Sequence, residues 1–418
     1  MPDPYYRLSR DELAMGWVTG LAVPGTPPLK TPTARPAPTA RPAPTARPAP
    51  TARPVPLVPG PVAAMEAAIL PALLRGQCFV AFSGGRDSSA ILAVAARLAR
   101  REGLPEPIAI TERFPDVPST DESAWQQAVI DHVGIREWVR LDIRNEHDML
   151  GDGVRESVRR RGVVWPATAH TTFTLFEQAA GGTLLTGEGG DEVFGARRIT
   201  PLVKTVRRRE WPSRARLVSI AEGLAPRPAR TSRLAGRFIA DVAQPWVRPE
   251  ERRRIMRTVA ADYASEPLAW DAGARWLLRR NPVRVSSNTM KVIALESGVS
   301  WLEPLLDGAF VDAIARLGGR WGFSSRNELM GRLFGEVLPV VATTRVSKVS
   351  FNAVYTGESL REFANTWDGG GLDDALVDPE ALRREWLSDT PSGLTFALLH
   401  SAWLASQPAA PAASDAAG

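Results

Sequence analysis

Cysteine is nearly absent from this 418-residue chain: Cys78 stands alone, so no internal disulfide framework and no cysteine-rich zinc site can form. No apolar run is long enough to span a bilayer. The opening Met1-Pro2-Asp3-Pro4-Tyr5-Tyr6 lacks the basic start and apolar stretch of a signal peptide. A cytoplasmic location with no membrane partner is therefore expected. Lysine is scarce as well: Lys30, Lys204, Lys291 and Lys348 are all there are, and arginine supplies most of the positive charge behind the net +5. With the alanine content, that bias reads as the mark of a GC-rich genome, and no nucleic-acid partner is expected from it. Arginines do gather between Arg207 and Arg257, as in Arg252-Arg253-Arg254. They read as solvated helix faces, or as a surface for an acidic peptide or phosphate ligand.

The remaining composition is that of a globular enzyme-sized chain, with 44% apolar and 23% charged residues. One stretch departs from it. Thr-Ala-Arg-Pro-Ala-Pro starts at Thr33 and recurs from Thr39 and Thr45, and Thr-Ala-Arg-Pro-Val-Pro runs from Thr51 to Pro56. Proline at this density removes amide donors and fixes φ, which excludes helix and sheet and predicts an extended linker. Ahead of it, residues 8–23 could form one short helix. The Ala-, Pro- and Ser-rich tail, residues 407–418, reads as disordered. The expected organisation is residues 1–60 as a short leading segment plus linker, and residues 61–406 as one folded domain, with ordered structure beginning near Pro61.

Within that domain, short apolar runs alternate with helical spacing. Residues 77–82, 107–111, 137–141 and 183–186 read as buried strands. Residues 88–101 carry apolar Ile91, Leu92, Ala95 and Leu98 at helical spacing and stop at Gly103. Ser119-Thr120-Asp121-Glu122 has the pattern of a capping box opening a helix that ends at Gly134. Helices are also predicted over 146–160 and 171–180, and a mostly helical part follows Arg197, clearest over 255–264, 272–279, 310–317 and 328–337. Alternation of this kind predicts an α/β fold, a doubly wound parallel sheet with a helical C-terminal part, and ligands at the carboxyl ends of the strands.

Two glycine-rich loops carry the chemistry. Ser83-Gly84-Gly85-Arg86-Asp87-Ser88-Ser89 joins the first strand to its helix. Its glycines let amides close on an anion, and its serines and the helix N-terminus add donors for a polyphosphate. No Gly-Lys-Ser/Thr ends it, so it is not a loop for γ-phosphate transfer. Asp87, among donors meant for phosphate, makes sense as a magnesium ligand. After the fourth strand comes Thr186-Gly187-Glu188-Gly189-Gly190-Asp191-Glu192-Val193-Phe194-Gly195. Its carboxylates would be costly together without a cation, and a magnesium ion shared by Asp87 and Asp191 against ATP phosphates resolves the cost.

The paired loops resemble the synthetase domain of asparagine synthetases, pyrophosphate-loop enzymes with an adenine-nucleotide α-hydrolase-like fold that form acyl-adenylates. Leu295-Glu296-Ser297, followed by Trp301-Leu302-Glu303-Pro304-Leu305-Leu306-Asp307, is similar to that family's Leu-Glu-x-Arg-x-Pro-Phe-Leu-Asp segment, with extra residues and without its arginine, and Arg345-Val346-Ser347-Lys348 to its Arg-x-x-Lys loop. The resemblance implies ATP and magnesium as cofactors. It implies that Ser83, Gly84, Gly85, Asp87, Ser88 and Ser89, with Thr186, Gly187, Gly189 and Gly190, bind ATP or pyrophosphate. It implies that Asp87 and Asp191 hold the metal, that Glu188 handles the proton of the attacking amine, and that Lys348 stabilises charge in the transition state. Lys291, on a predicted helix, serves by contrast as an ordinary lysine that should tolerate alanine.

Full asparagine synthetases begin with a glutaminase domain bearing an N-terminal cysteine. Residue 2 here is proline and the leading residues are mostly linker, so glutamine hydrolysis is not expected. β-Lactam synthetases place tyrosine where Glu188 stands. Arg113-Phe114-Pro115, Ser350-Phe351-Asn352, Trp367-Asp368-Gly369 and Val377-Asp378-Pro379 are most similar to macrolactam synthetases that close lasso peptides. The substrate would then be the carboxylate of a precursor peptide, with a leader-binding protein and a peptidase as partners. An ammonia-dependent asparagine synthetase is the alternative, and a tRNA-modifying pyrophosphate-loop enzyme a more distant one.

Overall fold

The computed structural model describes residues 3–22, 59–208, 211–340, 342 and 351–408. The repeat segment, Arg345 and Lys348 lie outside the described residues. Five strands form one sheet: β1 (Cys78–Ala81), β2 (Ile108–Arg113), β3 (Trp138–Asp142), β4 (Thr183–Leu185) and β5 (Ser300–Leu302), in the order β3-β2-β1-β4-β5 and parallel throughout. The side chains of the inner strands β1, β2 and β4 alternate between two buried faces. Val80, Ala109 and Leu185 enter one core with the Arg86–Glu102 and Pro61–Leu74 helices. Phe79, Ile110 and Leu184 enter another, with Phe176, Ile293 and Trp301. Burial on both faces is why the inner strands read as unbroken apolar runs rather than as alternation.

The predicted doubly wound sheet is present, with changes at its margins. The strand β5 is not legible in the sequence. Three residues long, it exists because Leu184 and Leu185 of β4 pair with Trp301 and Leu302. The helix expected from a capping box at 119–122 instead runs Ser123–Val133, after a 3-10 turn at Pro118–Thr120. The Asp121 side chain accepts from the Ser123 amide in place of the box, and Gly134 does end the helix, at φ 70°. The helix predicted from residue 146 starts only at Asp152.

The described residues include 3–22, a folded segment ahead of Pro61, where ordered structure had been expected to begin. A capping box of Ser9 and Glu12 opens the short Arg10–Met15 helix. Ala14 and Met15 then enter a helical core with Trp246, Trp367, Trp386 and Trp403, built largely from the C-terminal part. The Trp246 indole donates to the Ala14 carbonyl at 3.0 Å, and the Gln244 amide to Met15 at 2.9 Å. Gly16, at φ 65°, passes so close to the Leu394 carbonyl that any Cβ would overlap it, which fixes the leading segment against the C-terminal helices. Among the described residues no helix is long and apolar enough to cross a membrane.

A pair of buried histidines links this helical core to the sheet. His170 and His400 meet edge to face at 5.0 Å, Ser157 bonds to His170 at 2.7 Å, and His400 bonds to the Met149 carbonyl at 3.0 Å. Burial pushes His400 down to about 4 and holds His170 well below its ordinary value. The unfolded imidazole takes its proton near pH 6.5 and the folded His400 only near 4, so the unfolded state binds more protons in between. Stability is expected to be complete above pH 6.5 and to fall toward pH 4, by on the order of 3 kcal/mol from His400 alone. Melting temperatures across this range check it, and His400→Gln should flatten the dependence.

Candidate active site

The strand order reverses between β1 and β4, which makes the crevice at their carboxyl ends the expected ligand position in such a sheet. Both glycine-rich loops open there, residues 83–89 from β1 and residues 186–195 from β4. The first loop is braced from within. The Ser83 amide donates to the Ser88 hydroxyl at 3.2 Å, the Gly85 amide to the Ser83 hydroxyl at 3.2 Å, and the Gln126 amide to the Ser83 carbonyl at 3.1 Å. Gly84 sits at φ +82° against the Gln126 side chain. The Arg86–Glu102 helix starts at Gly85 with no side-chain cap, leaving first-turn amides for an anion.

Other glycines do something the sequence did not suggest. A Cβ on Gly187 would lie 2.8 Å from the Ser88 amide, and one on Gly190 would lie 2.2 Å from the Asp87 carboxyl carbon. A Cβ on Gly189, at φ +84°, would lie 2.3 Å from Leu306. In this structure Gly187 and Gly190 allow the second loop to close on the first, and Gly189 lets it pack on Leu306, where phosphate contact had been expected. Ser89 is fully buried with its hydroxyl unpartnered, which removes it from the loop's accessible donors. Thr186 is buried too, its amide held by the Leu302 carbonyl at 3.0 Å.

Asp87 and Asp191 converge, and the sequence had not suggested what they converge on. The Arg326 guanidinium donates to Asp87 and to Asp191, each at 2.6 Å. Burial pushes the Asp87 carboxyl up despite that cation. Two carboxylates facing one shared cation position are a donor set that fits magnesium, which takes one or two carboxylates and completes its shell with phosphate and water oxygens. Arg326 had no signal in sequence: it opens the Arg326–Phe334 helix, far along the chain, and only folding brings it here.

Glu188 is solvent-accessible yet set deep in the molecule, and its carboxyl is pushed up to about 7. Burial is the largest cause, followed by the negative charge of Glu303, Glu192, Asp191 and Asp87. That value suits a base taking a proton near neutral pH. Glu303 follows β5 as Glu188 follows β4, on neighbouring strand ends. Its carboxylate pairs with Lys291 at 3.1 Å and accepts from the Ser287 hydroxyl, while Lys291 also donates to Ser287 at 2.8 Å. Lys291 is therefore no neutral control; it is the buried counter-ion of Glu303. In a chain with only four lysines, the scarcity of lysine was itself a signal for Lys291.

A nucleotide-binding enzyme of the doubly wound α/β class is what this sheet and its two loops define. The asparagine synthase family model matches residues 76–403, and the chain belongs to that family of ATP-dependent amide ligases. No curated protein matches it.

Proposed function

We propose that the protein adenylates a side-chain carboxylate of a peptide and joins it to that peptide's own amino terminus, forming a macrolactam. The observation that carries the chemistry is the meeting, at one strand edge, of the residue 83–89 loop with Glu188 poised near pH 7. The peptide reading rests on the segments similar to macrolactam synthetases. Two of them come together: the rings of Phe114 and Phe351 lie 5.9 Å apart beside the site. The Trp367 and Val377-Asp378-Pro379 segments serve the helical core instead, with Asp378 capping the Pro379–Trp386 helix.

In the proposed sequence a carboxylate oxygen attacks the α-phosphorus of ATP, and the bond to pyrophosphate breaks. Ser83, Gly84, Gly85 and Ser88, with the helix N-terminus behind them, hold the departing pyrophosphate. Asp87 and Asp191 would hold magnesium, which when bound neutralises polyphosphate charge. Arg326, their counter-ion here, would then be free to face phosphate. The amine nitrogen bonds to the acyl carbon, the carbon–oxygen bond to AMP breaks, and the nitrogen's proton passes to Glu188. Lys348 supplies positive charge in the same state.

Incubation with Mg-ATP and a linear precursor peptide should release AMP and pyrophosphate in equal amounts, with a peptide product lighter by one water. ADP and phosphate as products would overturn adenylation. Asparagine formed from aspartate and ammonia, with the peptide unchanged, would replace macrolactam formation by ammonia-dependent asparagine synthesis.

A further inference from the structure

Beside the nucleotide loops lies a polar cluster with no assigned role. Glu112, at the end of β2, lines a cavity of about 450 Å³ together with Phe114 and Gln126. One of its carboxylate oxygens accepts from the Thr174 hydroxyl and faces His147 Nε2 at 3.3 Å. Among the described residues no donor reaches the other oxygen. His147 is only 4% exposed and its buried Nδ1 has no partner. The imidazole lies between Phe114, at 5.5 Å, and Tyr355, stacked at 5.9 Å. Tyr355 stands within electrostatic reach of both Glu112 and Glu188, and with burial they push its hydroxyl up to about 12.

The charges here do not balance. Arg113 and Arg144, which also line the cavity, are taken by Asp142 at 2.6 Å and Asp116 at 2.8 Å. No arginine or lysine among the described residues pairs with Glu112 or Glu188, whereas Asp87, Asp191 and Glu303 each have a cation. A carboxylate oxygen left open on an aromatic wall suits a small cation with several donors, bound by charge-assisted hydrogen bonds and by the ring faces.

We infer that Glu112, with His147 and Tyr355, forms the docking site for the attacking group in its primary ammonium form. The inference rests on the amide-ligase reading and names the state in which its second substrate binds. An ammonium that becomes an amide nitrogen gives up two protons. The first passes to the open oxygen of Glu112 as the amine is freed, and the second to Glu188 as the carbon–nitrogen bond forms and the carbon–oxygen bond to AMP breaks. Two carboxylates that no arginine or lysine among the described residues pairs with match two protons.

The test uses glycinamide as a primary-amine probe and N-acetylglycinamide as its uncharged counterpart, followed by saturation-transfer NMR on the full chain. Glycinamide should bind and the acetylated form should not. Glu112→Gln keeps the acceptor for Thr174 but loses the charge, and should weaken glycinamide binding about tenfold or more, as expected when one charge-assisted hydrogen bond is lost. Glu112→Asp should keep most of it. ATP binding and melting temperature serve as the check on folding for both variants. Equal binding of the two probes, undiminished binding to Glu112→Gln, or equal loss in both variants would overturn the inference. None of these readings depends on turnover, so absence of AMP and pyrophosphate release would refute the amide-ligase reading separately.

Discussion

Glu188→Gln is expected to slow amide formation by about 10²–10⁴-fold, the usual contribution of a positioned general base, while exchange of labelled pyrophosphate into ATP continues. The split follows from position. In the proposed function the groups that hold pyrophosphate belong to the residue 83–89 loop and its helix, whereas Glu188 belongs to the β4 loop and would act only when the amine attacks. In the wild type, turnover should rise with pH through about 7, as Glu188 loses its proton and becomes a base. The variant should lack that limb. A raised Glu188 carboxyl also carries a stability cost. The folded carboxyl keeps its proton to about pH 7 and an ordinary one only to about 4.5. The native state thus binds more protons between those values, and its stability falls as pH rises through them. Glu188→Gln should therefore melt higher than wild type at pH 8, a functional group traded against stability. Loss of exchange together with amide formation would place Glu188 in adenylation instead.

The second large effect is expected at Lys291. Lys291→Met leaves the Glu303 carboxylate buried without its cation, and removing one partner of a buried pair costs about 3–5 kcal/mol. Replacing both members by apolar residues is often close to neutral, so Lys291→Met with Glu303→Leu should recover most of that loss. Denaturant unfolding of the two variants distinguishes the cases; equal destabilisation of both would mean that packing, not charge, is what Lys291 supplies. The double variant also bears on the active site. Glu303 is the charge that raises Glu188 most after burial itself. Removing it should move the neutral-pH limb of the turnover profile to lower pH, where more of Glu188 is ionised.

What could be read along the chain was what adjacent residues decide together. The four strands read from the sequence are apolar runs near glycine signals, and the two loops combine glycine, hydroxyl and carboxylate in a pattern that resembles one family. The asparagine synthase family followed from those loops, and so did the expectation that Glu188, Asp87 and Asp191 work together.

Other features depend on residues far apart in sequence, and no local pattern marks them. Strand β5 is three residues without alternation, made a strand by hydrogen bonds from β4. The leading segment looked too short to fold because a short helix is marginal alone; it is ordered by Trp246, Gln244 and Leu394, which lie hundreds of residues away. Arg326 and Lys291 each read as unremarkable charged positions until the fold sets them beside Asp87, Asp191 and Glu303. By itself the sequence determined the family, through its two loops, and the winding of the sheet, since both are written in neighbouring residues. Only the tertiary structure decided which cation answers each carboxylate, because a charge is paired through space and the chain order does not record that distance.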